Sequence, residues 1–169
     1  ADWGDIWIHE GICTYAEVMY IEDKLGLERA TEFVKVRLKK NITNSDPIIR
    51  PKGSTAKLTS GNDVYYKAAH VLHTIRYLVG KDILWSTLKE FLYMPKELSN
   101  NQTSTLEFIS LLNENSNMDL HWVFNQFMYK ESIPTLYIKE KTRKTKRFVD
   151  LWWKEEGFKM PIEVSYGAI

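Results

Sequence analysis

The chain opens Asp2-Trp3-Gly4-Asp5-Ile6-Trp7-Ile8-His9-Glu10-Gly11-Ile12-Cys13-Thr14-Tyr15-Ala16-Glu17, aromatic and acidic residues that run straight into a helical period. Ile6, Ile12 or Cys13, Ala16, Tyr20 and Lys24 recur at steps of three, four and six to seven. That spacing predicts a buried helix from Asp5 to Lys24, stopped at Gly26, with Glu10 in its first turns. A carboxylate on an apolar helix is costly unless it is paired, hydrogen-bonded or bound to a metal. The stretch supplies no partner, so two readings of Glu10 stay open, a structural ion pair and a metal ligand. His9 points to a different face of the helix and does not share a ligand with Glu10. Glu17 shares the Glu10 face but lies about 10 Å further along the axis, too far for one ion to bridge.

The string W-x-D-I-W-I-H-E-G-x-x-T-Y-x-E, Trp3 to Glu17, resembles the segment that follows the zinc-binding helix in the aminopeptidase N family of zinc metallopeptidases, the gluzincin aminopeptidases. Members carry H-E-x-x-H and, about twenty residues on, a Glu inside a W-L-N-E-G-F-A-x-Y-x-E-like string. The resemblance implies that Glu10 is the third zinc ligand and that Glu17, the second acidic position of the same helix, supports the ligand from outside the metal's own coordination. The chain departs from the common form at His9, where Asn is usual, and at Ile12 and Cys13. Neither H-E-x-x-H nor a G-A-M-E-N-like substrate strand occurs in the 169 residues. Both are expected upstream of Ala1, which makes the chain a fragment of a larger enzyme, inactive alone and without tight zinc.

A second string lies at Tyr65-Tyr66-Lys67-Ala68-Ala69 and is similar to the family's Y-x-K-G-A, with Ala68 where Gly is usual. In the family this Tyr polarises the scissile carbonyl and stabilises the tetrahedral oxyanion, which implies the same role for Tyr65. Without the resemblance, a Tyr at a helix start reads as packing. The match is strong over Asp2 to Glu17, fair over Asp63 to Gly80 and architectural from Asp119 to Val164.

Composition bounds the remaining possibilities. A chain of 169 residues, 44% hydrophobic, is long enough for one domain, or one domain plus a fragment. A formal net charge of +1 provides no global field for nucleic acid or an anionic membrane, and no apolar run reaches a spanning length. Cys13 is the one cysteine, so no intrachain disulfide forms, and it reads as a small buried apolar residue. Localisation is not readable from these residues.

Beyond the opening helix, a second is expected from Leu27 to Lys40 with Leu27, Ala30, Phe33, Val34 and Leu38 on one stripe and basic residues at its end. Residues 41–61 are aperiodic and punctuated by Pro47, Pro51, Gly53 and Gly61, a length that is usually functional or disordered; in the family the matching region walls the substrate cleft. A third helix opens at Asn62 or Asp63, carries Val64, Ala68, Val71, Leu72, Ile75 and Leu78 inward, and ends at Gly80. His70 and His73 lie three apart on it, which reads as a surface or core pair rather than a second metal site. Asp82 caps a fourth helix that stops at Pro95, Ser104-Thr105-Leu106-Glu107 is a capping box for a fifth, and Asp119 caps a sixth. His121 has the same surface or core reading.

From Ile133-Pro134 the period changes to strands, at Thr135 to Lys139, Phe148 to Trp152 and Met160 to Val164. The basic turn from Lys139 to Arg147 lacks interleaved aromatics and reads as a solvated hairpin rather than a nucleic-acid contact.

These readings make the chain mainly α (α+β): the helical part of a thermolysin-like catalytic domain over 1–133, then the start of a β-sandwich-like domain over 134–169. The resemblance implies that the parent is a Zn²⁺-dependent peptidase acting at the N-termini of peptide substrates, with Glu10 on the metal, Glu17 behind it and Tyr65 at the oxyanion. The alternatives are a non-catalytic helical scaffold or peptide-binding module and a degenerate homologue with a broken H-E-x-x-H.

Overall fold

The computed structural model describes residues 2–55, 61–94, 103–131 and 134–164. The chain is mainly α, with one small sheet among the described residues, and divides into two units, Ala1–Glu131 and Ser132–Ile169. In the first, a 3₁₀ turn at Trp3–Asp5 leads into α1 (Trp7–Leu25), followed by α2 (Leu27–Phe33), α3 (Tyr66–Val79), α4 (Lys81–Tyr93), α5 (Thr105–Ser116) and α6 (His121–Phe127). Past Phe33 the α2 backbone continues as a π-helix over Val34–Leu38 and a 3₁₀ turn over Lys39–Asn41.

Helices α1 and α3 end where expected. Gly26 (φ 87°) and Gly80 (φ 91°) adopt a left-handed backbone that a side chain would strain, and their N–H groups close on Glu22 and Arg76. The capping box is also present: Ser104 Oγ accepts from Glu107 N at 3.3 Å and the Glu107 carboxylate accepts from Ser104 N at 2.7 Å.

The buried stripe of α1 differs from the expected one. Trp7, Ile8, Ile12, Tyr15, Val18 and Glu22 face inward, whereas Cys13, Ala16, Tyr20 and Lys24 are exposed. Trp7 and Tyr15 decide this, because burying an indole and a phenol ring on one face removes more apolar area from water than burying Tyr20 with Ala16 and Lys24 on the other. Trp7 packs edge-on to Phe108 at 5.6 Å, and Phe108 meets Phe91 at 5.1 Å, so one aromatic cluster joins α1, α4 and α5. The Trp7 indole N–H donates to Thr105 Oγ1 at 2.8 Å, and the Thr105 hydroxyl in turn donates to the Asp5 carboxylate.

Several local expectations give way to tertiary demands. Leu27 is 49% exposed, outside the buried stripe of α2. The helical backbone of α3 begins at Tyr66, not at Asn62 or Asp63, because the Asp63 carboxylate is taken by the N–H groups of Thr43 and Ser45. Asp82 lies inside the first turn of α4, where its charge suits the helix dipole, and Gly80 is the residue at the boundary. Asp119 stands two residues before the first residue of α6, with Leu120 at the boundary, and accepts from His121 N at 3.0 Å. Pro95, expected to stop α4, and Ile133, where the strand period begins, lie outside the described residues.

The aperiodic segment after α2 is ordered over residues 42–55 by backbone hydrogen bonds rather than by helix or sheet. Ile48 and Ile49 N–H groups both donate to the Met128 carbonyl, Arg50 N donates to the Gly4 carbonyl, and Gly53 N donates to the Asp2 carboxylate. Ile48 and Ile49 are themselves core residues.

The second unit is a β-hairpin, β1 (Leu136–Arg143) and β2 (Lys146–Trp153), antiparallel with Leu136 opposite Trp153 and Arg143 opposite Lys146. The turn is only Lys144–Thr145, tighter than the expected nine-residue turn, because the basic residues on either side pair as strand. Tyr137 stacks on Trp152 at 5.5 Å and Lys141 pairs with Asp150. Met160 to Val164 forms no strand; Phe158 instead folds back onto Trp153, with ring centroids 4.7 Å apart.

Candidate active site

Glu10 lies in the first turns of α1, half-buried, on the helix face that also carries exposed Cys13, Glu17 and Tyr20. Cys13 is therefore not the buried residue expected of it. Thr14 Oγ1 donates to the Glu10 backbone carbonyl at 2.7 Å, while the Glu10 carboxylate has no partner among the described residues. A free carboxylate at the start of a helix, on its open face, has the donor chemistry of a metal ligand. Among the described residues no three His, Cys, Asp or Glu side chains gather around it or elsewhere.

Tyr65 stands immediately before α3 and is 38% exposed, whereas Asp63, Val64, Lys67, Ala68 and Ala69 around it are buried. Tyr66 is half-buried, with the Arg37 guanidinium 5.6 Å from its ring centroid. The two tyrosine rings lie 6.4 Å apart.

What brings the two sequence strings together is Gly11. A Cβ built on it would lie 2.5 Å from Ala68 Cβ and 3.2 Å from the Val64 carbonyl, so α1 and α3 touch through a bare glycine backbone. Glu10 precedes that glycine and Tyr65 follows that Val64, so the two residues are the sequence neighbours of one helix contact. Glu17 is two turns further along α1 and exposed.

Of the two histidines three apart on α3, His73 is buried and His70 half-buried. The His73 ring packs against Tyr77 at 5.2 Å and Tyr15 at 6.2 Å, and burial, with Arg76 and His70 nearby, holds its imidazole down to about 4. Burial likewise lowers the His70 imidazole. His121 Nδ1 sits 2.7 Å from the Asp119 carboxylate on the surface.

The sequence reading missed the partners of the buried charges. Glu22, 9% exposed, pairs with Arg76 at 2.6 Å and with Lys81 at 3.4 Å, joining α1, α3 and α4. Its signal was available, since Glu22 lies seven residues beyond Tyr15 on one face. Lys67 is 5% exposed and its Nζ donates to the Lys130 carbonyl at 2.9 Å. Nothing local to α3 announces that partner.

The fold matches that of an aminopeptidase: the chain superposes on a crystal structure of Legionella pneumophila aminopeptidase A in complex with aspartic acid with a TM-score of 0.70, at 18% identity, over 89% of this chain. The matched region is 17% of that protein's chain. The search of curated proteins finds no match. The family is shown by its own sequence model, the Peptidase family M1 domain, which matches residues 1–127; the chain belongs to this family.

Proposed function

We propose that these residues form part of a zinc-dependent aminopeptidase, with Glu10 a zinc ligand, Glu17 a carboxylate supporting it, and Tyr65 the donor to the developing oxyanion. Membership of the peptidase family supports peptides as substrates, and the aminopeptidase reading takes their N-terminal bonds as the ones cleaved. The observation that supports the site assignment is the Gly11 contact, which packs the α1 turn that carries Glu10 against the start of α3, next in sequence to the exposed Tyr65.

Zinc, when bound, polarises the scissile carbonyl and lowers the pKa of a water. Glu10 would hold it, offsetting its charge, and the remaining ligands would come from an H-E-x-x-H motif. The Tyr65 O–H donates to the carbonyl oxygen as it becomes an oxyanion, an interaction made mainly in the transition state. One carboxylate cannot supply the three protein ligands of a catalytic zinc, so the chain by itself is expected to hydrolyse nothing. The hairpin unit is read as the start of a β-sandwich-like domain.

The test is zinc content. In the full-length protein Glu10→Gln should lose zinc by metal analysis and lose hydrolysis of aminoacyl p-nitroanilides, with an unchanged circular dichroism spectrum. A Glu10→Gln protein that keeps stoichiometric zinc and activity would show the ligand assignment to be wrong.

A further inference from the structure

Tyr65 is the exposed residue of a run that is otherwise buried or half-buried, and two buried charges stand two residues to either side of it. Asp63 is 3% exposed and Lys67 is 5% exposed. Neither placement is one that α3 needs for its own sake. A lysine in the first turn of a helix faces the positive end of the dipole, and burying its ammonium adds a desolvation penalty. Burial does lower the Lys67 pKa, with Asp63 and Glu131 acting in the opposite direction.

Both charges are engaged with chain far away in sequence. The Asp63 carboxylate accepts from Thr43 N at 2.7 Å through one oxygen and from Ser45 N at 3.2 Å through the other, which ties the 42–55 segment to the start of α3. Lys67 Nζ reaches the carbonyl of Lys130, just beyond α6, at 2.9 Å. Between them the backbone is irregular: Tyr65 N and Tyr66 N both donate to the Asn62 carbonyl, and Ala68 N reaches back five residues to the Asp63 carbonyl. A helix start of that shape is not held by its own ladder alone. Together with the Gly11 contact at Ala68, these are three anchors, on the 42–55 segment, on the chain after α6 and on α1, around one exposed phenol.

We propose that Asp63 and Lys67 are positioning residues for Tyr65: they act through it, by fixing the turn from which its hydroxyl reaches the reacting carbonyl. The inference rests on the reading of Tyr65 as the oxyanion donor and deepens it. A misplacement of about 1 Å at a reacting group costs up to roughly 10²-fold in rate. A role in stability alone would not depend on whether residue 65 carries a hydroxyl.

The experiment is a double-mutant cycle in the full-length protein, with kcat and KM measured on aminoacyl p-nitroanilides for Tyr65→Phe, Lys67→Met and the pair. Lys67→Met keeps the length of the stem and removes the ammonium. Alone it should lower kcat about 10-fold with KM little changed; in the Tyr65→Phe background the same change should lower kcat less than about 2-fold. If the two losses instead multiply, Lys67 does not act through the phenol, and the proposal fails while the role of Tyr65 stands. If Tyr65→Phe leaves kcat unchanged, the role of Tyr65 fails and takes the proposal with it. Should Lys67→Met not fold, Asp63→Asn, which keeps the shape and one acceptor oxygen, runs the same cycle with the same deciding outcomes.

Discussion

Gly11→Ala tests the contact on which the site's geometry depends. The added Cβ would lie 2.5 Å from Ala68 Cβ and 3.2 Å from the Val64 carbonyl, against an ordinary carbon–carbon separation of about 3.5–4.0 Å. Relief requires α1 and α3 to move apart by roughly 1 Å, and overpacking of this kind costs about 1–3 kcal/mol. Replacing a mid-helix glycine by alanine returns about 1 kcal/mol through helix propensity. Neither a Cβ nor a backbone carbonyl can swing aside, so the overpacking cost lies in the upper part of its range, about 2–3 kcal/mol. The expected balance is a loss of about 1–2 kcal/mol, or a Tm lower by roughly 3–8 °C for a unit of this size. Thermal unfolding of this chain by circular dichroism reads it directly. The sharper measurement is the second substitution: Ala68→Gly in the Gly11→Ala background removes the atom at 2.5 Å and should recover most of the loss. An unchanged or higher Tm for Gly11→Ala, or a double variant no better than the single, would refute the bare-backbone crossing. In the full-length protein, the same 1 Å would displace Glu10 from Tyr65, so Gly11→Ala should lower kcat beyond its effect on stability.

Protonation of His73 should destabilise the fold in acid. The imidazole is held at about 4 when folded, by burial first and then by Arg76 and His70, with Glu22 opposing, against 6.5 for an unperturbed ring. The unfolded chain takes up that proton near pH 6.5 and the folded one does not. Stability is therefore full above about pH 6.5 and falls as the pH drops towards 4, by up to about 3 kcal/mol. His73→Phe should flatten the fall in Tm between pH 6.5 and 4.5; curves that stay parallel would contradict it. At the start of α5, Ser104→Ala removes the hydroxyl that accepts from Glu107 N and should cost about 1 kcal/mol in urea unfolding. A loss below about 0.3 kcal/mol would mean that tertiary contacts alone hold that helix end.

What could be read from residues alone was local. The glycine stops at Gly26 and Gly80 and the Ser104–Glu107 box act within one turn of one helix, so their chemistry is complete in a few consecutive residues. The two strings around Glu10 and Tyr65 were legible for a different reason, since their resemblance to a family required no geometry. The tertiary structure decided which stripe of α1 is buried, because the spacing read along the sequence put Ala16, Tyr20 and Lys24 inward and the packing of Trp7 against Phe108 and of Tyr15 against His73 overrules it. It also decided what the charged residues do. Asp63 fits a helix cap by its neighbours, yet its carboxylate is claimed by Thr43 and Ser45, twenty and eighteen residues away. Glu22 and Arg76 are separated by 54 residues before they meet. A buried charge takes whatever partner the packed chain brings within reach, and the identity of that partner is a property of the fold, not of the residues beside it in sequence.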